Sequence, residues 1–171
     1  MNKRIKRWLV LIWVLIFLSF LFFFFYVATG VKVKKPAVYL YPEEDSFIDV
    51  SVQVNGKITK SIPDYINGWN VFVTEKGIIN GKYDYLFYEA DLRKVKLPDG
   101  GWIVKYEELD NWLEDNLIRF GLNKKEKEQF IEYWANELPE SRYYLIKLLD
   151  EEFLEKNMKL VINPIPDSVI R

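Results

Sequence analysis

Trp8 to Ala28 is a run of twenty-one residues in which Ser19 is the only polar side chain apart from Trp and Tyr. Sixteen of the twenty-one are Leu, Ile, Val or Phe. As a helix rising 1.5 Å per residue the run is about 31 Å long, close to the roughly 30 Å hydrocarbon core of a bilayer. The pattern predicts a single transmembrane helix over 8–28, with 1–7 as a basic cytoplasmic tail and 29–36 as a juxtamembrane linker. Lys3, Arg4, Lys6 and Arg7 precede the run, while Lys32, Lys34 and Lys35 follow it. That shallow bias, by the positive-inside rule, places the N-terminus in the cytoplasm and the rest outside the cell membrane. The rival reading is a cleaved signal peptide, because Ala28, Thr29 and Gly30 mimic a cleavage region. A twenty-one-residue run rich in Phe exceeds the usual 7–15-residue apolar region, which favours a retained anchor.

The remaining residues, 37–171, are enough for one domain of ordinary size. From Lys32 onward there are twenty Lys and Arg against twenty-five Asp and Glu. A net negative domain with no basic run beyond pairs argues against a nucleic-acid partner. The chain has no Cys and no His. Thiolate chemistry, disulfides, imidazole bases and the usual zinc ligands are therefore absent, and the sequence implies no metal and no cofactor. Catalysis would have to come from carboxylates, Lys, Tyr or Ser.

Period-two alternation marks the first half of the domain. Ala37 to Tyr41 is a β-prone run stopped by Pro42, and Ile48, Val50, Val52 and Val54 alternate with polar residues. A three-residue Val54-Asn55-Gly56 loop predicts a hairpin that pairs Val52 with Ile58 and Ile48 with Ile62. Trp69 to Val73 and Tyr83 to Tyr88 supply further strands, for a four- to five-stranded sheet. After Gly101 the period lengthens: Leu109, Trp112, Leu113, Leu117 and Phe120 trace a helix that Gly121 terminates. Asn123 and Glu126 form a capping-box pattern opening a second helix, whose apolar stripe is Phe130, Ile131, Trp134, Ala135 and Leu138. Trp134 is expected to be buried. A strand from Tyr143, a short helix capped by Asp150, and a strand over 159–162 complete the pattern. The fold expected is α+β: a transmembrane helix, then a mostly antiparallel sheet domain carrying an inserted two-helix hairpin.

The run Lys35-Pro36-Ala37-Val38-Tyr39-Leu40-Tyr41-Pro42-Glu43, with Pro63-Asp64-Tyr65, Gly68-Trp69, Tyr85-Leu86-Phe87-Tyr88-Glu89, Phe120-Gly121-Leu122 and Pro164-x-Pro166-Asp167-Ser168, resembles an uncharacterised family. Its members are bacterial membrane-anchored or secreted proteins whose domain opens with a Lys-Pro-x-x-Tyr-Leu-Tyr-Pro-Glu signature. The resemblance supplies no activity. It does imply more β structure beyond the Pro-Asp-Ser segment, so that this chain is either C-terminally truncated or a minimal version with an unpaired sheet edge at 169–171.

Two constellations carry functional expectations. Glu43, Glu44 and Glu89 are the candidate catalytic carboxylates, since glycoside hydrolysis needs two carboxyl groups about 5–9.5 Å apart. Tyr41, Trp69, Tyr85 and Tyr88 are the candidate ligand-binding aromatics, because Tyr and Trp combine contact area with a polar handle. Strand alternation can hide only one of Tyr85 and Tyr88. The favoured expectation is a non-enzymatic binding module at the cell envelope, facing an envelope polymer or a protein partner. A carboxylate-based hydrolase acting on envelope polymers is the alternative, and a structural subunit of a membrane complex is a third.

Overall fold

The computed structural model describes Trp8, residues 12–20 and residues 30–171. Trp8 and residues 12–20 are helical, but among the described residues no helix is long and apolar enough to cross a membrane. The single-pass transmembrane helix expected over 8–28 is corrected to that extent: no spanning helix is found among the described residues. The rest of the apolar run, 9–11 and 21–28, lies outside the described residues. The linker expected over 29–36 is corrected too. Val31–Val33 forms strand β1, paired with Leu92, Asp91 and Ala90.

The folded part is α+β, and every described strand pairing is antiparallel. Instead of one sheet it has a two-sheet sandwich and a separate ribbon. In the first sheet β6 (Leu86–Leu92) is flanked on one edge by β4 (Gly56–Ile62) and on the other by β1 and β2 (Ala37–Tyr41). Strand β10 (Ser168–Ile170) pairs with β2 and lies at the edge, with no strand on its far side among the described residues. The second sheet places β3 (Ser46–Val54) between β5 (Trp69–Val73) and β9 (Met158–Asn163). Alternation fills the space between the sheets. Val38 and Leu40 from β2, and Leu86, Tyr88, Ala90 and Leu92 from β6, join Ile48, Val50, Val52, Trp69, Val71 and Met158 in one buried cluster.

Strands β3 and β4 do not form the expected hairpin. At Asn55 and Gly56 the chain leaves one sheet for the other, so Ile58 pairs with Ala90 and Ile62 with Phe87. Asn55 is held on both sides: its N–H donates to the Asn157 carbonyl at 2.9 Å and its carbonyl accepts from Arg93 N–H at 2.8 Å. Gly56 packs so close to β6 that an added Cβ would lie 2.0 Å from the Asp91 carbonyl oxygen. Glycine here serves a sandwich corner, which the turn signature alone does not distinguish from a hairpin.

A second, smaller core lies in the helical region. Helix α1 (Leu109–Asn116) and helix α2 (Lys124–Glu137) are joined through Gly121, whose φ of 99° terminates the first helical segment. Leu109, Leu113 and Leu117 are buried with Val104 of the ribbon formed by β7 (Trp102–Lys105) and β8 (Tyr143–Ile146). The capping box at α2 is present in both halves, and Asp150 caps α3 (Glu151–Asn157) by accepting from Phe153 N–H. Trp134, expected to be buried, is half-buried. It packs on Phe130 and edge-on against Tyr133, with ring centroids 6.1 and 5.2 Å away, while Phe130, Ile131 and Leu138 of its stripe pack against the small core.

Candidate functional site

Helix α2 lies across the outward face of β2. The alternation that sends Val38 and Leu40 into the sandwich sends Tyr39 and Tyr41 outward, beneath the helix. Tyr39 Oη donates to Gln129 Oε1 at 3.0 Å. Tyr41 Oη donates to Glu126 Oε1 at 2.5 Å and accepts from Asn123 Nδ2 at 3.2 Å. The other oxygen of Glu126 accepts from Asn123 N–H at 2.7 Å, so one buried carboxylate both caps the helix and receives the tyrosine. Gln129 Nε2 donates to Asp84 Oδ2 at 2.8 Å, and Lys125 pairs with the other oxygen of Asp84. The hydrogen bond from Lys125 holds the Asp84 carboxyl below its usual range. Burial raises the Tyr39 hydroxyl and pushes Tyr41 up to about 12, with the Glu126 hydrogen bond adding to the latter.

Beside this polar clasp the helix and the first sheet leave a groove of about 350 Å³. Its aromatic surface is Tyr83, Tyr85, Phe87 and Tyr133, and its cations are Lys35, Lys60 and Lys82. Lys35 occupies a left-handed backbone position, φ 50°, in the break between β1 and β2. That conformation swings its ammonium between two rings, 4.2 Å from the Tyr133 centroid and 5.2 Å from that of Tyr85. Burial lowers its pKa. Among the described residues its ammonium donates to the Gln129 carbonyl at 3.4 Å. Lys60 lies over Phe87 and 3.9 Å from Glu89, while Lys82 lies over Tyr83.

The residues singled out from the sequence are dispersed. Glu43 and Glu44 are exposed in the bend after β2, whereas Glu89 is half-buried on β6 at the level of the break before β2. The whole of β2 separates them, about 16 Å at 3.3 Å per residue, which is beyond the reach of a glycosidase pair. Trp69 is 4% exposed, with Nε1 donating to the Pro63 carbonyl at 2.8 Å, and Tyr88 is 2% exposed; both belong to the sandwich core. Tyr41 is committed to the clasp. Tyr85 alone of the four aromatics lines the groove. No group of three or more His, Cys, Asp or Glu that could hold a metal ion occurs among the described residues.

Lys35, Lys60, Lys82, Phe87 and Tyr133 were not anticipated. One signal was present: Glu126, Gln129, Tyr133 and Glu137 recur at three- and four-residue spacing, a polar stripe next to the apolar one. Lys35 carried no signal, since its placement depends on a backbone break that local sequence does not announce.

A Butyrivibrio fibrisolvens protein described as an uncharacterized protein in the bglA 3′ region is 43% identical to this chain over 63 residues. The match covers 33% of this chain and 66% of that relative, so the chain spans slightly less than two thirds of the relative's length. No protein-family model matches the chain, and no solved structure matches it.

Proposed function

We propose that this protein is a non-catalytic binding module whose site is the groove between α2 and the first sheet. The observation that carries the reading is Lys35, a half-buried cation placed between the rings of Tyr85 and Tyr133 with no carboxylate in ion-pair contact among the described residues. Concave sites with apolar walls and a few placed polar groups are where ligands bind. The signature run contributes to the same place: Lys35 enters the groove, while Tyr39 and Tyr41 fasten the helix that forms its wall. Binding is favoured over hydrolysis because the carboxylate in the groove, Asp84, is engaged by Lys125 and Gln129.

The test is a screen of the full chain against glycans and peptides, repeated with Tyr85→Ala and Tyr133→Ala. The expected result is a ligand recovered unchanged whose affinity falls about ten-fold in each variant, the cost of losing one aromatic anchor of about 1.4 kcal/mol. A ligand indifferent to both substitutions would overturn the reading. So would turnover of the ligand that Asp84→Asn or Glu89→Gln abolishes.

A further inference from the structure

We infer that the groove takes an acidic carbohydrate, with Lys35 as the counter-charge for its anionic group. This rests on the groove being the binding site. Several charges around it are already matched. Asp84 is paired with Lys125 and Gln129, and Lys34 lies 3.1 Å from Glu137. Lys60 keeps only a loose 3.9 Å contact with Glu89. Lys35 and Lys82 have no carboxylate within ion-pair distance among the described residues, and Glu132 reaches Lys35 only as a longer-range charge. The uncompensated charge of the groove is therefore positive, although the domain around it is net negative.

The two aromatic faces hold the ammonium by cation–π attraction, but they leave its charge unneutralised, so an anion entering the groove gains a counter-charge already in place. Carboxylate, sulfate or phosphate substituents would each serve. The rings decide what carries the anion. Tyr85 and Tyr133 are half-buried, leaving ring surface against which the C–H face of a sugar can stack. The tyrosine hydroxyls and Lys60 supply hydrogen-bond partners for sugar hydroxyls. An acidic peptide would have to satisfy its own backbone, and the edge strand at the groove, β4, carries a register break between Ile58 and Lys60 that interrupts a regular ladder.

Equilibrium binding of the full chain to polygalacturonate, dextran sulfate, neutral dextran and polyglutamate separates these chemistries, with Lys35→Gln, Lys35→Arg and Tyr85→Ala measured in parallel. The expected result is binding of polygalacturonate, dextran sulfate or both, with neutral dextran and polyglutamate at least ten-fold weaker. Lys35→Gln should weaken that binding about ten-fold and Lys35→Arg should largely retain it. Raising salt from about 50 to about 500 mM should weaken it as well. Which acidic polymer binds distinguishes a carboxylate from a sulfate as the anionic group. Equal or tighter binding of dextran or polyglutamate, an unaffected Lys35→Gln, or no binding of either acidic polymer would overturn the acidic-carbohydrate assignment. The groove itself survives that outcome if Tyr85→Ala still weakens whatever binds, and falls if it does not.

Discussion

Glu126 is 1% exposed, yet both of its oxygens are hydrogen-bonded: one accepts from the Tyr41 hydroxyl, the other from Asn123 N–H. The half of this arrangement that is local, a cap three residues ahead of its glutamate, is legible in the sequence. The half that reaches eighty-five residues back to Tyr41 is not, because pairing across that separation is set by how the helix lies on the sheet. Its consequence shows at alkaline pH. Tyr41 and Tyr88 are both pushed up to about 12, and Tyr39 is also raised, chiefly by burial. The unfolded chain releases these protons near pH 10 while the folded chain retains them. Their contribution to stability is therefore fully present below about pH 10 and is lost as pH rises toward 12. Urea unfolding at successive pH values should show this fall, and Tyr41→Phe should make it shallower. The same substitution should lower stability at neutral pH by about 1–3 kcal/mol, because it strands a buried carboxylate oxygen. Equal steepness in both proteins would show that Tyr41 titrates as it does in water.

Among the elements, those defined by local chemistry were legible: the strand carrying Ile48, Val50 and Val52, both capped helices, and the stop at Gly121. The strand partners were not. Asn55-Gly56 reads as a hairpin, but Gly56 packs against the Asp91 backbone and β4 pairs with β6 in the other sheet. Tyr83 to Tyr85 similarly read as strand, whereas β6 begins at Leu86 and runs on to Leu92. The two tryptophans draw out the difference between the cores. Trp69 lies between the sheets against Tyr65 and Tyr88, with ring centroids 4.7 and 6.4 Å away. Its truncation should cost about 3–5 kcal/mol, as for a fully buried aromatic. Trp134 is half-buried with two ring neighbours, and Trp134→Ala should cost about 1–2 kcal/mol, within the range of ordinary substitutions. Denaturant titration of both variants checks the order. A Trp134→Ala protein as destabilised as Trp69→Ala would place Trp134 in a core.

Across the whole molecule, a sandwich and a helical unit with separate cores meet along α2 through tyrosine, glutamine and carboxylate contacts, and the groove lies at that seam. A site built from β4, the 82–87 segment, the break before β2, and α2 could not be assembled from the sequence, since these four parts are far apart along the chain. What the sequence did offer was that one of Tyr85 and Tyr88 must face outward, and Tyr85 is the one in the groove. Two other cavities compete with it. One, of about 410 Å³, lies over Asp49, Asn70 and Asn163 on the outer face of the second sheet; the other, of about 500 Å³, lies between 94–100 and α3. Amide chemical-shift mapping of the full chain during titration with a polygalacturonate oligosaccharide separates the three sites in one measurement. Binding in the groove gives shifts concentrated at Lys35, Tyr85, Phe87 and Tyr133, from both sides of the seam. Shifts concentrated at Asp49, Asn70 and Asn163, or along 94–100, with the groove silent, would contradict it.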